Sequence, residues 1–116
     1  MAIPHAKSGE VIDVRPLGER LKENITSTLI KTDTLEVLRL VMPAETTIDR
    51  HQVQGAITVQ CLEGRVTFDA DGVQREMTVG QMLYLDGSTP HALHAGENSS
   101  VLVTILLHHK PAATGS

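Results

Sequence analysis

Short apolar runs separated by turn residues dominate the chain from Asn24 onward. They recur at intervals of about eight to twelve residues, a spacing typical of β-sandwiches and barrels. Asp71-Gly72 separates two of these runs and predicts a tight hairpin, because such dipeptides readily adopt positive φ angles. Nine strands are predicted, over residues 25–31, 34–42, 48–53, 56–62, 65–69, 73–78, 81–85, 91–95 and 101–107.

The strand predicted over 34–42 carries apolar residues on both faces, which places it inside a sheet rather than at an edge. Many short antiparallel strands must close or double over to protect their edges, so the pattern favours an all-β jelly-roll barrel. Residues 16–23 predict a short helical turn ahead of the strands. Leu17 and Leu21 lie four apart on one face of that turn, and Pro16 suits its start.

A chain of 116 residues has the length of one ordinary domain and can bury a core without disulfides. We expect a barrel domain over residues 11–110, with a loose arm over 1–10 and a frayed tail over 111–116. The single cysteine, Cys61, cannot form an intramolecular disulfide, and no secretory signal pattern opens the chain. These features predict a cytoplasmic protein.

Charge and aromatic content argue against nucleic-acid binding. The net charge is -4 with ten lysines and arginines, whereas phosphate-backbone binding needs a concentrated basic face. One Phe, one Tyr and no Trp leave little surface on which bases could stack. The longest apolar run, 101–107, is far shorter than the roughly 20 residues of a membrane-spanning helix. We therefore expect neither a nucleic-acid nor a membrane partner.

Two histidines are the best candidates for a functional site. His51 opens the run that leads through Cys61 to Gly64, and His91 ends the run that begins at Gly80. A jelly roll brings together strands that are far apart in sequence, so His91 can face His51 across the barrel interior. Both would then lie in one pocket.

Two further residues could complete that pocket. Cys61 shares a strand face with Ile57, and a thiolate there would favour zinc or copper, although a lone buried cysteine more often acts as a small hydrophobe. Gln60 offers an amide oxygen but falls on the opposite strand face. The predicted ligand pocket therefore contains His51, His91, Gln60 and Cys61.

The first of these segments resembles the first conserved motif of the cupin family, in a resemblance that spans about residues 35–107. Aligned on Gly64, the motif places His51 at its first histidine, Val53 at its second and Ile57 at its glutamate. Two of the three positions that carry metal ligands in the family motif are therefore hydrocarbon side chains here.

The second segment is similar to the second cupin motif. Aligned on Gly80, the second motif places His91 at its histidine. In the alignment of the first motif on Gly64, the opening glycine of that motif corresponds to Glu45. The resemblance implies a double-stranded β-helix, also called a jelly roll, and a homodimer. It also implies a divalent Fe, Mn, Ni or Zn ion held by His51 and His91, although two imidazoles alone should bind such ions weakly.

Three functions follow from these observations. The first is a small-molecule binding or sensing protein with an aliphatic pocket and His51 and His91 as its polar groups. The second is a metal-dependent oxygenase or isomerase with a variant two-histidine site completed by Gln60, Cys61 or water. The third is a dimeric structural or interaction module in which the histidines only pack.

Overall fold

The computed structural model describes residues 5–107 and contains nine antiparallel strands preceded by a 3-10 helix, Gly18–Glu23. The predicted strands are confirmed in number and order, with ends displaced by two residues at most. None of the helical structure in residues 5–107 has the length and apolar character needed to cross a membrane. The strands are β1 (Ser27–Lys31), β2 (Leu35–Met42), β3 (Thr47–His51), β4 (Ile57–Glu63), β5 (Arg65–Ala70), β6 (Val73–Thr78), β7 (Met82–Leu85), β8 (His91–Ala95) and β9 (Ser99–Leu106).

The strands form two sheets that pack face to face. One sheet has the order β1-β2-β9-β4-β7 and the other has the order β3-β8-β5-β6. This crossed order is that of a jelly roll, and it confirms the predicted fold class. Strand β2 lies between β1 and β9, which confirms that the two-sided apolar strand lies inside its sheet. The core between the sheets includes Phe68, Val59, Val66 and Val101, all at most 1% exposed.

Side chains of β4 alternate between the two faces of its sheet until a β-bulge follows Cys61. Ile57 and Cys61 are buried against the opposite sheet, as their shared parity predicts. A β-bulge then shifts the register, so that Cys61 pairs with Val101 but Glu63 pairs with Ser100. Because a bulge re-aims the side chains that follow it, Glu63 leaves the inward row of β4 and meets the N-terminal segment outside the barrel.

Residues 5–24 run along the outer face of the five-stranded sheet. The Ala6 N–H donates to the Leu29 carbonyl at 2.8 Å. The helical turn predicted over 16–23 is observed as the 3-10 helix, and its Leu21 is 1% exposed. Residues 1–4 of the predicted arm and the whole predicted tail, 111–116, lie outside the described residues.

Candidate functional site

The two sheets enclose an apolar cavity of about 110 Å³. Its polar side chains are two imidazoles, those of His51 and His91. The remaining wall is hydrocarbon and includes Leu38, Leu40, Val53, Ile57, Phe68 and Leu93. All four positions aligned with the cupin motif ligands therefore surround one space, and two of them carry no donor atom.

Antiparallel pairing of β3 with β8 brings the two histidines together. His51, the last residue of β3, is the register partner of His91, the first residue of β8. Their ring centroids are 4.2 Å apart and the ring planes meet at 61°. The His91 ring also stacks on Phe68 with centroids 5.6 Å apart and planes at 9°. Strand register and an aromatic stack thus fix the position of His91.

Backbone carbonyls determine which ring nitrogen carries the proton. The His51 Nδ1 lies 2.9 Å from the Asp49 carbonyl oxygen, and the His91 Nδ1 lies 2.9 Å from the Thr89 carbonyl oxygen. A carbonyl only accepts, so each Nδ1 must donate. In the neutral rings both Nε2 atoms are consequently unprotonated, and each can accept a hydrogen bond or bind a metal.

The two rings differ in exposure. His91 is 4% exposed, whereas His51 is exposed at the mouth of the cavity. Burial lowers the pKa of His91, because a charged imidazolium loses solvation there; the Thr89 carbonyl opposes this effect, and nearby His51 reinforces it. His91 is therefore a neutral acceptor at physiological pH.

The other two residues of the predicted pocket do not line this cavity. Cys61 is fully buried, but its Sγ contacts the carbonyls of Glu63 and Gly64 at the end of β4, at 3.4 and 3.7 Å. Burial raises the pKa of its thiol, so a metal-binding thiolate is disfavoured. Gln60 is half-buried on the opposite face of β4. The structure thus brings together His51 and His91 and leaves Gln60 and Cys61 apart from them.

These residues do not fit the metal centre that the cupin resemblance implied. Fe, Mn, Ni and Zn sites with catalytic roles use at least three protein ligands, often with a carboxylate. Within residues 5–107, no group of three or more His, Cys, Asp or Glu side chains is arranged to hold a metal ion. Val53 and Ile57 present only hydrocarbon to the cavity. The donor set at the cavity therefore consists of two imidazole nitrogens without a carboxylate.

The sequence itself identifies the family. Residues 37–107, more than half of the chain, match the cupin domain family. The chain belongs to the cupin family. The matched region contains every residue that lines the cavity, including both histidines, so the His51–His91 cavity occupies the central space of a cupin barrel.

Solved structures show the same fold at low sequence identity. A conserved protein of unknown function from Streptococcus pyogenes is 20% identical, with a TM-score of 0.73 over 95% of this chain and 97% of that one. A cupin superfamily protein from Desulfitobacterium hafniense is 14% identical, with a TM-score of 0.73 over 89% and 100%. A mutant salicylate 1,2-dioxygenase from Pseudoaminobacter salicylatoxidans is 18% identical, with a TM-score of 0.63 over 69% of this cupin and 25% of the dioxygenase. No functionally curated protein matches this cupin significantly.

A second polar cluster lies outside the barrel, where Glu63 and Arg39 hold the N-terminal segment. The Glu63 carboxylate accepts the backbone N–H groups of Leu17 and Gly18 at 2.9 and 3.0 Å, and the Ser100 hydroxyl at 2.5 Å. Burial alone would raise the pKa of Glu63, but these three hydrogen bonds and nearby Arg39 outweigh it and hold the pKa below its ordinary value. We call this cluster the outer clamp.

Sequence analysis missed both charged residues of the outer clamp. Arg39 had a detectable signal, because it is the lone cation in a strand that is mostly apolar on both faces. The sequence gives no comparable signal for Glu63, because a Glu-Gly pair after a strand commonly marks a turn. Its role depends on the bulge after Cys61 and on a partner segment 45 or 46 residues away in sequence.

Proposed function

We propose that this cupin binds or senses a small, largely apolar molecule that carries a neutral hydrogen-bond donor such as a hydroxyl group. One observation carries this proposal: His51 and His91 each donate Nδ1–H to the backbone, which leaves two Nε2 acceptors at a hydrocarbon cavity. A mostly apolar cavity with a few convergent polar atoms is the ordinary design of a ligand site.

Cavity size limits the ligand. Ordinary small-molecule sites have volumes of about 300–1,000 Å³, and an engineered cavity of about 150 Å³ binds benzene. A cavity of about 110 Å³ therefore admits a five- or six-atom fragment and excludes a whole sugar or nucleotide. A larger ligand could insert only its apolar end and leave the remainder near exposed His51.

The charge state of the cavity supports selection for a neutral donor. No lysine or arginine lines it, and the neutral His91 cannot donate from Nε2. A carboxylate in this space would therefore lose its hydration without gaining a donor. A hydroxyl group can donate to Nε2 while its hydrocarbon part contacts Val103 and Ile105.

A matched set of five-membered rings tests the proposal. Cyclopentanol has a donor, cyclopentane has none, and cyclopentanecarboxylate is an anion. Each is titrated at pH 8 while the methyl NMR signals of Ile57, Val103 and Ile105 are followed. We expect saturable shifts with cyclopentanol and affinity about tenfold weaker for cyclopentane, the value of one hydrogen bond of roughly 1.4 kcal/mol. The carboxylate should not bind.

Two histidine variants complete this test. His91→Phe keeps an aromatic ring against Phe68 but removes the buried acceptor, so cyclopentanol should bind it more weakly than wild type, with only exposed His51 left as an acceptor. His94→Gln is the control, because His94 is on the same strand but bonds to Thr47 Oγ1 at 2.8 Å outside the cavity. Cyclopentanol binding that is absent from the wild type, or unchanged in His91→Phe, would contradict the proposal.

The alternative function is a metal-dependent oxygenase or isomerase. It has one supporting observation: metal-binding histidines commonly donate their other ring N–H to a backbone carbonyl, as His51 and His91 do. The alternative predicts about one Fe, Mn, Ni or Zn ion per chain after reconstitution and dialysis of tag-free protein. It also predicts that His51→Ala and His91→Ala each abolish this binding. A metal content far below one ion per chain would exclude the metal-dependent alternative.

We also propose that this cupin forms a homodimer through the part of the outer face of the five-stranded sheet that β9, β4 and β7 form, away from the N-terminal segment at β1 and β2. Met82, Tyr84 and Leu106 all point away from the core on this face and are 64%, 61% and 55% exposed. Exposed apolar side chains on one face commonly mark a protein interface. Sedimentation of wild type should show a dimer at micromolar concentration, and the double substitution Met82→Glu and Tyr84→Glu should give a monomer. A stable wild-type monomer would contradict this proposal.

A further inference from the structure

A cleft of about 370 Å³ lies outside the barrel, between the N-terminal segment and β2. It is separate from the histidine cavity, because Arg39 faces the cleft while its neighbours Leu38 and Leu40 face the barrel interior. Its lining consists of Asp13, Arg15, Pro16, Leu17, Arg20 and Arg39. Three guanidinium groups therefore meet one carboxylate at its surface.

Arg39 is an unusual residue in this cleft because it is charged and only 8% exposed. Its Nη2 donates to the carbonyl oxygens of Val14, at 2.7 Å, and Arg15. Its buried Nε has no partner among residues 5–107. Both acceptors are neutral, so they satisfy hydrogen bonds without balancing the charge, and a buried charge is costly unless an opposite charge accompanies it.

The two carboxylates whose pKa values Arg39 lowers, Asp13 and Glu63, are already engaged. Asp13 accepts three hydrogen bonds from the Arg15 guanidinium and one from the Arg15 N–H. Glu63 is held by Leu17, Gly18 and Ser100. Among the ion pairs that residues 5–107 form, none includes Arg20 or Arg39. The lining contains three arginines and one carboxylate, so even with Glu63 added it carries one more positive than negative charge.

We propose that this cleft binds the oxyanion group of a small metabolite, a carboxylate or a phosphate, between Arg20 and Arg39. Guanidinium groups form the strongest hydrogen bonds to such groups, because donor and acceptor are both charged and planar forks match the oxygens. The volume of the cleft exceeds that of a bare ion, so it has room for a metabolite attached to the anionic group. The inference does not depend on the ligand of the barrel cavity.

Titration of the full-length protein with inorganic phosphate, and separately with malonate, tests the proposal. Ionic strength is held constant with sodium chloride, and the amide and arginine Nε–H NMR signals are followed. We expect saturable shifts at Leu17, Arg20 and Arg39 with at least one of the two anions. The anion that binds more tightly identifies phosphate or carboxylate as the recognised group. Shifts that do not saturate with either anion, or that sodium chloride reproduces, would overturn the proposal.

Three substitutions distinguish an anion site from a purely structural clamp. Arg39→Lys keeps the charge but loses the planar fork, so binding should weaken at least about tenfold. That variant can also loosen the N-terminal segment. Arg20→Gln removes a cleft charge whose side chain makes no hydrogen bond with residues 5–107, and binding should weaken at least about threefold while the fold is kept. Arg75→Gln, on exposed β6, is the control and should bind like wild type. Equal affinity in wild type and Arg20→Gln would overturn the proposal.

Discussion

Strand β2 contributes to two polar regions with opposite chemistry. On its inner face, Leu38 and Leu40 help to line a hydrocarbon cavity that contains the imidazoles of His51 and His91. On its outer face, Arg39 and the nearby Glu63 hold the N-terminal segment with charged hydrogen bonds. In both regions, backbone groups fix the polar side chains. One strand with alternating side chains can therefore contribute to an apolar cavity on one face and to a charged clamp on the other, with main-chain groups orienting the polar side chains.

The largest effect should come from Glu63→Ala, which breaks the outer clamp and spares the cavity. It leaves the Leu17 and Gly18 N–H groups without their carboxylate partner and removes a negative charge that interacts with buried Arg39. We expect the free energy of unfolding to fall by about 3 kcal/mol. Amide exchange should accelerate most across Gly18–Glu23.

Glu76→Ala is the matched control for this substitution. Glu76 is exposed on β6 and its ion pair with Arg65 is 3.7 Å long, so its loss should change stability by less than about 0.5 kcal/mol. If Glu63→Ala were as harmless as Glu76→Ala, the clamp would have no energetic importance.

The second prediction concerns a variant in which the cavity carries four potential metal ligands. The double variant Val53→His, Ile57→Glu places donors at two positions that already line the cavity with His51 and His91. We expect it to bind one Ni²⁺ or Zn²⁺ per chain at least about 100-fold more tightly than wild type, because each added ligand contributes affinity. Isothermal titration at pH 7.5 measures this gain. The same pair of substitutions at outward-facing Thr58 and Gln60 is the control and should give no gain.

Acid should affect the two regions in different pH windows. The pKa of His91 is lower in the folded protein than its ordinary value of 6.5, so the unfolded chain binds the proton more readily. Its contribution to stability is therefore complete above pH 6.5 and is lost as pH falls toward the folded pKa. Glu63 also has a lowered pKa, but its contribution is complete above its ordinary value of 4.5 and is lost only below it.

Urea unfolding at pH 8, 5.5 and 3.5 separates these windows. His91→Phe should abolish the loss of stability between pH 8 and 5.5, whereas Glu63→Gln should reduce the loss between pH 5.5 and 3.5. The His94→Gln variant should follow wild type in the first window if His91 is responsible. A His91→Phe profile identical to that of wild type would show that His91 does not carry the first step.

Much of this molecule could be predicted from its sequence, because strand periodicity and turn residues are local signals. That His51 and His91 share one pocket also followed from the jelly-roll pattern, although the two are partners on neighbouring strands of one sheet and do not face each other across the interior. Cys61 shows the limit of such reasoning. The alternation of side chains along a strand predicts the sheet face on which a residue lies, but not how far along the barrel axis it lies. Cys61 is near the end of β4 and does not reach the cavity. The outer clamp depends on a bulge and on contacts between distant segments, which periodicity does not encode.

The smallest expected effect concerns a site that belongs to neither region. Glu45 occupies the position of the motif's opening glycine and has a φ of 72°, which is strained for a residue with a Cβ atom. Glu45→Gly should raise the free energy of unfolding by roughly 0.5–1 kcal/mol, because relief of this strain exceeds the loss of a 3.4 Å exposed pair with His94. Glu45→Ala should not give this gain. The pH dependence of stability in both windows should stay as in wild type. A Glu45→Gly variant less stable than wild type would show that Glu45 is not strained.

The central claim is that the ring protons of His51 and His91 are on Nδ1, which leaves both Nε2 atoms as acceptors, and that burial keeps His91 neutral. Long-range ¹H–¹⁵N NMR of the imidazole rings, at pH 7.5 with EDTA present, measures this directly. We predict that both rings show a protonated Nδ1 and an unprotonated Nε2, and that cyclopentanol shifts the Nε2 signals without protonating them. Protonation at Nε2 in either ring, or a charged His91 at this pH, would contradict the account.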